Sequence, residues 1–185
     1  MNFIASAGQL RASFIRWALF LVPAIVLLGF LSGRLAGSGP GNGWFDALVK
    51  PGIYPPPATF GIVWTILYIM MGLALTIVVT ARGARLRRAA IIAFVVQFLL
   101  NLAYTPTFFA AHQMTAALGV IIALALALVV TIVLFWRVRR LAGLLLLPYL
   151  AWVLFAGVLN YEFLRLNPAA DGTDAPPPTV QRYEF

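Results

Sequence analysis

The side chains of this sequence that could recognise a ligand are aromatic rings and neutral polar groups rather than ionisable ones. Within residues 97–112 they recur about every three or four positions, the spacing that places side chains on one side of an α-helix. An unpaired amide is costly in hydrocarbon, so this side is predicted to face other helices. It serves either as polar contacts between helices or as a surface that meets a ligand. Its members are Gln97, Asn101, Tyr104, Thr105, Phe108 and His112.

Two further apolar segments carry aromatic rings at helical spacing. Trp64 and Tyr68 are four residues apart, and Trp152 is followed by Ala156 and Asn160 at the same interval. Tryptophan normally collects at the two membrane interfaces. Trp152, however, has about eleven residues of its apolar segment before it. An indole at that depth is expected to face inward and to line a pocket.

Acid–base, thiolate and metal chemistry lack the residues that they need. The chain has one histidine, His112, and no cysteine, and it has no paired carboxylates within an apolar segment. Neither a metal site nor a catalytic carboxylate pair is therefore expected. Glu162 lies near the end of the last apolar segment, where Arg165 is expected to form a local ion pair with it. Without buried charges or an inverted repeat, a proton-coupled pump or secondary transporter is not favoured.

The elements that hold these residues follow from composition. Of 185 residues, 63% are apolar and 10% are charged, whereas a soluble domain has roughly 45–50% and about 25%. Five apolar segments are each long enough to cross a hydrocarbon core, which takes about 20 helical residues. The sequence therefore predicts an all-α integral membrane protein, a five-transmembrane-helix bundle. The segments are about 12–33, 59–81, 89–111, 114–136 and 141–164.

The remaining parts of the chain are a loop and two ends. Residues 1–11 are predicted to be an N-terminal extension, 12–167 the five-helix membrane domain, and 168–185 a disordered Pro-rich tail. The loop between the first two helices, about residues 34–58, is long for a compact bundle. It is flexible at its glycine-rich start and then becomes aromatic and proline-rich. Such a loop is predicted to be a lid or a binding element.

The net charge of +8 is explained by membrane topology and not by nucleic acid, which is not an expected partner. Nine arginines fall on the side of the N-terminus, and all five acidic residues lie on or near the other side. The positive-inside rule then places the N-terminus in the cytoplasm, provided that the protein lies in the bacterial inner membrane. Arg11 and Arg16 before an apolar run also resemble a signal peptide. Because Pro23 lies inside that run and no cleavage site follows, a retained first helix is favoured.

Five stretches, taken in order and with their spacing, resemble the TspO/MBR family, the tryptophan-rich sensory proteins of bacteria and the mitochondrial translocator (peripheral benzodiazepine receptor) protein. The resemblance extends over about residues 17–167 and includes the family's count of five helices. The stretches are Leu21-Val22-Pro23, WFDALVKP (44–51) with Pro55-Pro56, FGIVWTILYIMMG (60–72), LNLAYTPTFFAAHQM (100–114) and PYLAWVLFAGVLNYEFLRLN (148–167).

The resemblance implies an inter-helix site, covered by the long loop, that binds planar hydrophobic ligands. These are tetrapyrroles such as protoporphyrin IX, haem-like molecules and sterol-like compounds. It implies a membrane receptor or carrier with a regulatory or scavenging role, in contact with membrane lipid and forming a homodimer. Porphyrin is then a ligand, and no cofactor is required. The residues carried over by position are Phe45, Trp64, Asn101, Trp152 and Ala156, and Tyr68, Tyr104 and Phe108 on the same aromatic and polar helix faces complete the predicted ligand-binding set.

Two other functions remain open. Several bacterial members of the family degrade protoporphyrin in light and oxygen, which would make Trp64 and Trp152 the catalytic candidates. The chain could instead be an accessory structural subunit of a larger membrane complex. The sequence also departs from the family, because Phe45, Ile53 and Tyr104 stand where Tyr, Trp and Trp are common. These changes reduce the stacking area and remove one hydroxyl donor.

Two short motifs lie in the last and the first apolar segments. Leu159, Tyr161 and Arg165 fit the pattern proposed for cholesterol contact, and Tyr161 and Arg165 are interpreted as anchors at the membrane interface. In the first helix, Gly29-x-x-x-Gly33 is a candidate helix-packing face.

Overall fold

Within residues 7–174, five helical segments are long and apolar enough to cross a membrane, which confirms the predicted five-helix bundle. The structure is a computed structural model that describes residues 7–174. Its helices are α1 (Ala7–Leu35), α2 (Gly43–Ala47), α3 (Pro57–Thr80), α4 (Arg87–Thr105), α5 (Met114–Val138), α6 (Arg140–Leu145) and α7 (Leu147–Leu166), with a π-helical turn at Pro106–Ala110 and a 3₁₀ turn at Pro168–Ala170. The spans are Gly8–Leu35, Pro57–Thr80, Arg87–Ala110, Met114–Val138 and Arg140–Leu166.

Prolines and one asparagine lie where several helices begin or where their hydrogen-bonding pattern changes. Pro57 opens α3, where its missing N–H would have had no helical partner. Asn42 caps α2 by accepting a hydrogen bond from the Phe45 N–H at 3.0 Å. At Pro106, which has no N–H to donate to the helix, α4 gives way to the π-helical turn. The fifth span is divided into α6 and α7 just before Pro148.

Helix α1 packs mainly on α3, α4 packs on α5, and α5 packs on α7. Two glycines let α1 and α3 approach closely. A Cβ atom at Gly72 would lie 2.8 Å from the Val22 Cα atom, and one at Gly29 would lie 2.2 Å from the Tyr68 ring. In the glycine motif of α1, Gly29 therefore packs against another helix of the same chain. A Cβ atom at Gly33 would instead meet the Ser38 hydroxyl of the following loop.

The buried apolar side chains form two clusters. The larger one runs between the spans and includes Met71, Leu128 and Tyr149. The smaller one lies beneath the loop between α1 and α3. We call residues 43–51 of that loop, which contain α2, the lid. The side chains of the smaller cluster are Trp44, Phe45, Leu48, Phe108, Met114, Ala117, Leu159, Phe163 and Ala170.

Both ends of the membrane domain extend beyond the predicted boundaries. Helix α1 begins at Ala7, inside the predicted N-terminal extension, and residues 1–6 lie outside the described residues. Residues 168–174, which composition assigned to a disordered tail, are ordered against the bundle: Pro168–Ala170 is a 3₁₀ turn and Ala170 is buried. Contacts with the lid, which composition does not reveal, hold this segment. The rest of the predicted tail, 175–185, lies outside the described residues.

Candidate functional site

A row of buried polar side chains crosses the bundle interior. The Tyr68 hydroxyl donates to Asn101 Oδ1 at 3.3 Å, and Asn101 Nδ2 donates to the Tyr149 hydroxyl oxygen at 2.9 Å. The Tyr149 hydroxyl in turn donates to Gln97 Oε1 at 3.2 Å. We call these four residues the polar ladder. The ladder joins α3, α4 and α7, so the polar side of α4 faces the bundle interior as the sequence predicts.

The ladder depends on local features of three helices. Gln97 and Asn101 are four residues apart and therefore share one face of α4. Tyr68 fits because Gly29 on α1 has no side chain where the phenol ring lies. Tyr149 is fully buried in the first turns of α7. Sequence reasoning left Tyr149 and Gln97 out of the predicted ligand-binding set, although the spacing of Gln97 and the Pro148-Tyr149 step were visible signals.

Aromatic rings surround the ladder at one end. The Trp64 ring stacks on Tyr68 with a centroid distance of 5.1 Å and an interplanar angle of 28°. The centroids of the Trp64 and Tyr149 rings are 6.1 Å apart, in an edge-to-face arrangement. Trp64, Tyr68 and Asn101 are therefore three predicted site residues that the structure brings together around one polar contact.

A second group of predicted residues consists of Phe45 in the lid and of Tyr104 and Phe108 near it. The Phe45 side chain is only 3% exposed, and its ring centroid lies 5.0 Å from that of Phe109 and 6.4 Å from that of Phe108. Tyr104 links this group to the bundle, because its ring lies 6.2 Å from Phe108 and its hydroxyl accepts a hydrogen bond from Asn160 Nδ2 at 3.3 Å. Phe45 of the lid thus packs near Phe108 and, through Phe108, is connected to Tyr104.

Trp152 is connected to the lid through a chain of rings. Phe45 contacts Tyr54 at a centroid distance of 6.0 Å, Tyr54 contacts Phe60 at 5.4 Å, and Phe60 contacts Trp152 at 5.7 Å. Ala156, one turn after Trp152, is half-buried against the inter-helix cluster. The predicted set is therefore one continuous region with two centres, the polar ladder and the lid.

Three buried polar atoms of this region have no hydrogen-bond partner among residues 8–174. They are the indole Nε1 of Trp152, the amide Nε2 of Gln97 and the amide Oδ1 of Asn160. Two are donors and one is an acceptor. Such atoms are uncommon in folded proteins, and each costs free energy while it stays unpaired. They mark where a bound molecule would find free partners.

Two cavities border the region. One has a volume of about 400 Å³ and lies between α3 and the start of α7. Its lining is almost entirely apolar and consists of Val63, Ile66, Leu67, Met70, Pro148, Ala151 and Trp152. The other, of about 660 Å³, lies on the outer side of the lid and is lined by residues that include Arg34, Trp44 and His112. Elsewhere the aromatic rings pack on one another, so a large planar ligand would have to displace them.

The ionisable residues are placed away from the ladder. His112 lies in the turn between the third and fourth spans, where its ring stacks on Trp44 at 4.6 Å and its Nδ1 lies 2.9 Å from an Asp174 oxygen. Arg165 pairs with Glu162 at 2.7 Å, as expected from their spacing. Within residues 7–174, no three His, Asp or Glu side chains lie together in a way that could hold a metal ion.

The residues of the sterol pattern do not share a surface. Leu159 is buried in the cluster beneath the lid, whereas Tyr161 is 53% exposed on the outside of α7. Arg165 is also exposed. Tyr161 and Arg165 are thus free to contact the membrane interface, while Leu159 belongs to the interior.

Lys50 holds the end of the lid in place. Its ammonium group donates to the backbone carbonyl of Leu48 at 2.9 Å and also to that of Phe45, whose ring centroid lies 4.4 Å away. Burial lowers the pKa of Lys50 below its usual 10.5, and the nearby Asp46 carboxylate opposes this by raising it. Burial raises the pKa of Tyr54 above 10.0, and Asp46 raises it further.

We expect Asp46→Asn to lower the pKa of Lys50 further and to lower that of Tyr54 as well, because one negative charge raises both in the native protein. Asparagine keeps an oxygen for the Gly41 N–H, which Asp46 accepts at 2.9 Å. Lys50 is the one lysine of the chain, so reductive ¹³C-methylation gives a single side-chain amine signal to titrate by NMR. An unchanged Lys50 pKa in the variant would contradict this account of the lid.

Sequence comparison identifies proteins that are similar to this chain. A sequence model of the TspO/MBR family matches residues 20–166. The tryptophan-rich protein TspO of Chlorobaculum tepidum is 42% identical over 130 residues, which are 70% of this chain and 82% of that protein. The tryptophan-rich sensory protein of Cereibacter sphaeroides is 35% identical over 156 residues, or 82% and 92% of the two chains. The translocator protein of Sus scrofa is 37% identical over 158 residues, or 84% and 92%.

Proposed function

The chain belongs to the TspO/MBR family, and on that premise we propose that it is a membrane receptor or carrier that binds tetrapyrroles such as protoporphyrin IX between its helices. The proposed ligand-binding residues lie around the polar ladder and beneath the lid. They are Phe45, Trp64, Tyr68, Asn101, Tyr104, Phe108, Trp152 and Ala156.

Family and fold together define the setting of this function. Five spanning helices and the family match make the protein an integral, multi-pass membrane protein. The names of its relatives, tryptophan-rich sensory protein and translocator protein, support a sensory or transport role in a membrane. We further propose a homodimer in the membrane and, for a location in the bacterial inner membrane, an N-terminus in the cytoplasm.

The observation that carries the tetrapyrrole proposal is the set of unpaired polar atoms among aromatic rings inside the spans. Trp152 stands twelve residues after the start and fourteen before the end of the span Arg140–Leu166, roughly 18–21 Å from each end at 1.5 Å per residue. Its indole N–H and the Gln97 amide are donors without partners among the described residues. In hydrocarbon no water replaces the missing acceptors. A ligand that brings acceptors on an apolar, planar body would satisfy the Trp152 donor beside the apolar cavity, and it would meet the fully buried Gln97 donor once the neighbouring rings are displaced.

A tetrapyrrole has that chemistry. Its faces are flat and aromatic and suit rings such as Trp64 and Tyr68, and its carboxylates and two of the four ring nitrogens of the free base are acceptors. The apolar cavity of about 400 Å³ beside Trp152 supplies part of the volume, within the range of small-molecule sites. Movement of the lid and of its aromatic neighbours would supply the remainder.

The test is a titration of the full-length protein in lipid nanodiscs with protoporphyrin IX in the dark. The signal is the absorbance of the porphyrin, because this signal, unlike tryptophan fluorescence, does not depend on how many tryptophans a variant has. We expect saturable binding that Trp152→Phe weakens about three- to tenfold, since the variant loses the free N–H and keeps a ring. Trp17→Phe is the matched control, because Trp17 is 40% exposed on α1. Equal binding by the Trp152 variant would remove Trp152 from the site.

The same samples separate the other two functions. Illumination in the presence of oxygen, with loss of porphyrin absorbance that depends on Trp152, would favour the degrading enzyme over the receptor. No saturable binding by the native protein would overturn the tetrapyrrole proposal. The accessory-subunit function would then be favoured, and it requires stable co-purification with a larger membrane complex.

A further inference from the structure

The segment that follows α7 is attached to the lid by several hydrogen bonds. We call residues 167–174 the strap. Asn167 is 5% exposed, and its side chain brackets Val49: Oδ1 accepts from the Val49 N–H at 2.8 Å and Nδ2 donates to the Val49 carbonyl at 3.0 Å. Nδ2 also donates to the Phe163 carbonyl of α7 at 2.9 Å. One buried side chain therefore joins the lid backbone to the fifth span.

A second attachment lies further along the strap. The indole Nε1 of Trp44, in the lid, donates to the Ala170 carbonyl at 3.2 Å. The Trp44 ring is 5% exposed and stacks on His112, whose carbonyl accepts from the Gly172 N–H at 2.8 Å. The lid and the turn between the third and fourth spans are thus both bonded to the strap.

The strap is also anchored to the fourth span. Asp171 accepts hydrogen bonds from the backbone N–H of Thr115 at 3.2 Å and from the Thr115 hydroxyl. The first turn of α5 has free N–H groups, and a carboxylate there is favourable. The strap is thus bonded both to the lid and to α5 and α7. Displacement of the lid away from the bundle therefore requires the bonds of Val49 and Trp44 to the strap to break.

From these contacts we propose that the strap is a clasp that positions the lid over the inter-helix site and sets the rate of ligand exchange, with Asn167 as its main positioning residue. The exchange part of this proposal rests on the proposed tetrapyrrole function, whereas the positioning part does not. Phe45, the lid residue predicted to meet the ligand, is four residues before Val49. Release of Val49 would therefore free the segment that carries Phe45.

The first test measures the lid without any ligand. In the full-length protein in lipid nanodiscs, we expect Asn167→Ala to raise the rate of amide hydrogen exchange in residues 44–50 about tenfold, because the Val49 N–H and carbonyl lose their partners. Exchange in α5 should not change. Trp44→Phe, which keeps a ring and loses the indole N–H, should give a smaller increase in the same residues. Thr173→Ala is the control, since its hydroxyl bonds only within the strap. Unchanged exchange in Asn167→Ala would overturn the proposal.

The second test measures protoporphyrin IX binding rates by stopped flow. If the strap sets the rate of ligand exchange, Asn167→Ala should raise the association and dissociation rate constants together, by about fivefold or more. The change in Kd should be smaller. Simple damage to the fold would weaken Kd without faster association, and that result would overturn the exchange part. If the native protein binds no porphyrin while lid exchange still rises, the proposed function fails and the positioning part stands.

Discussion

Replacement of Asn101 by leucine is expected to reduce protoporphyrin IX affinity about tenfold or more. Asn101 accepts from the Tyr68 hydroxyl and donates to the Tyr149 hydroxyl oxygen, so it is the middle of the polar ladder. Leucine has nearly the same volume but neither polar atom. The Tyr68 hydroxyl would then remain buried without an acceptor and could turn away from the ligand face. We expect a stability loss of about 1–2 kcal/mol, less than in water because polar contacts between membrane helices have modest net value.

Two variants show whether the affinity loss comes from the ladder or from damage to the fold. Tyr68→Phe removes only the hydroxyl that bonds to Asn101 and should lower affinity less than Asn101→Leu. Gln113→Leu makes the same change of amide to leucine at an exposed turn and should bind like the native protein. The measurement is the porphyrin titration in nanodiscs, with thermal unfolding recorded on the same samples. Native affinity in Asn101→Leu would show that the ladder only holds helices together.

Replacement of Gly72 by alanine is expected to destabilise the bundle, and by more than the same replacement at Gly61 on the same helix. The new Cβ would lie 2.8 Å from the Val22 Cα atom. Because this is a backbone atom, it cannot rotate out of the way as the end of a side chain can. Helix α1 would have to move away from α3. Overpacking of this kind costs about 1–3 kcal/mol, which corresponds to a fall in Tm of about 2–12 °C in a chain of this size.

Gly61→Ala is the matched control for that change. It lies on the same helix, and a Cβ at Gly61 would meet nothing within 4 Å. Alanine there should leave Tm unchanged or raise it slightly, because glycine is the weaker helix former. The comparison is made by thermal unfolding of both variants in the same detergent. Equal melting of the two variants would mean that α1 is less closely packed on α3 than the structure shows.

Much of the fold could be predicted from the sequence because it depends on length and composition alone. Five apolar segments of sufficient length fix the number of spans, and the spacing of Gln97 and Asn101 fixes which side of α4 is polar. Pro106 marks the place where the fourth helix changes. These features require no knowledge of how one helix is rotated against another.

The parts that could not be predicted depend on that rotation or on contacts between distant segments. Tyr149 was visible as an aromatic residue, but its bond to Asn101 is fixed only when α4 and α7 are in place. Gly29 belongs to a recognised packing motif, yet its role as the space for Tyr68 is a contact between two spans. Residues 168–174 have the composition of a disordered tail, and only bonds to the lid and to Thr115 order them.

The strap also determines how the chain responds to mechanical force. Its bonds to Thr115 and to the lid lie between residue 174 and α7, so a pull from the C-terminal side loads them before it loads α7. These are single hydrogen bonds between a side chain and the backbone, and when opened one after another they resist less than a helix extracted from lipid. Tension applied from the C-terminal side would therefore separate the strap from the lid and release the lid while the five spans stay in the bilayer.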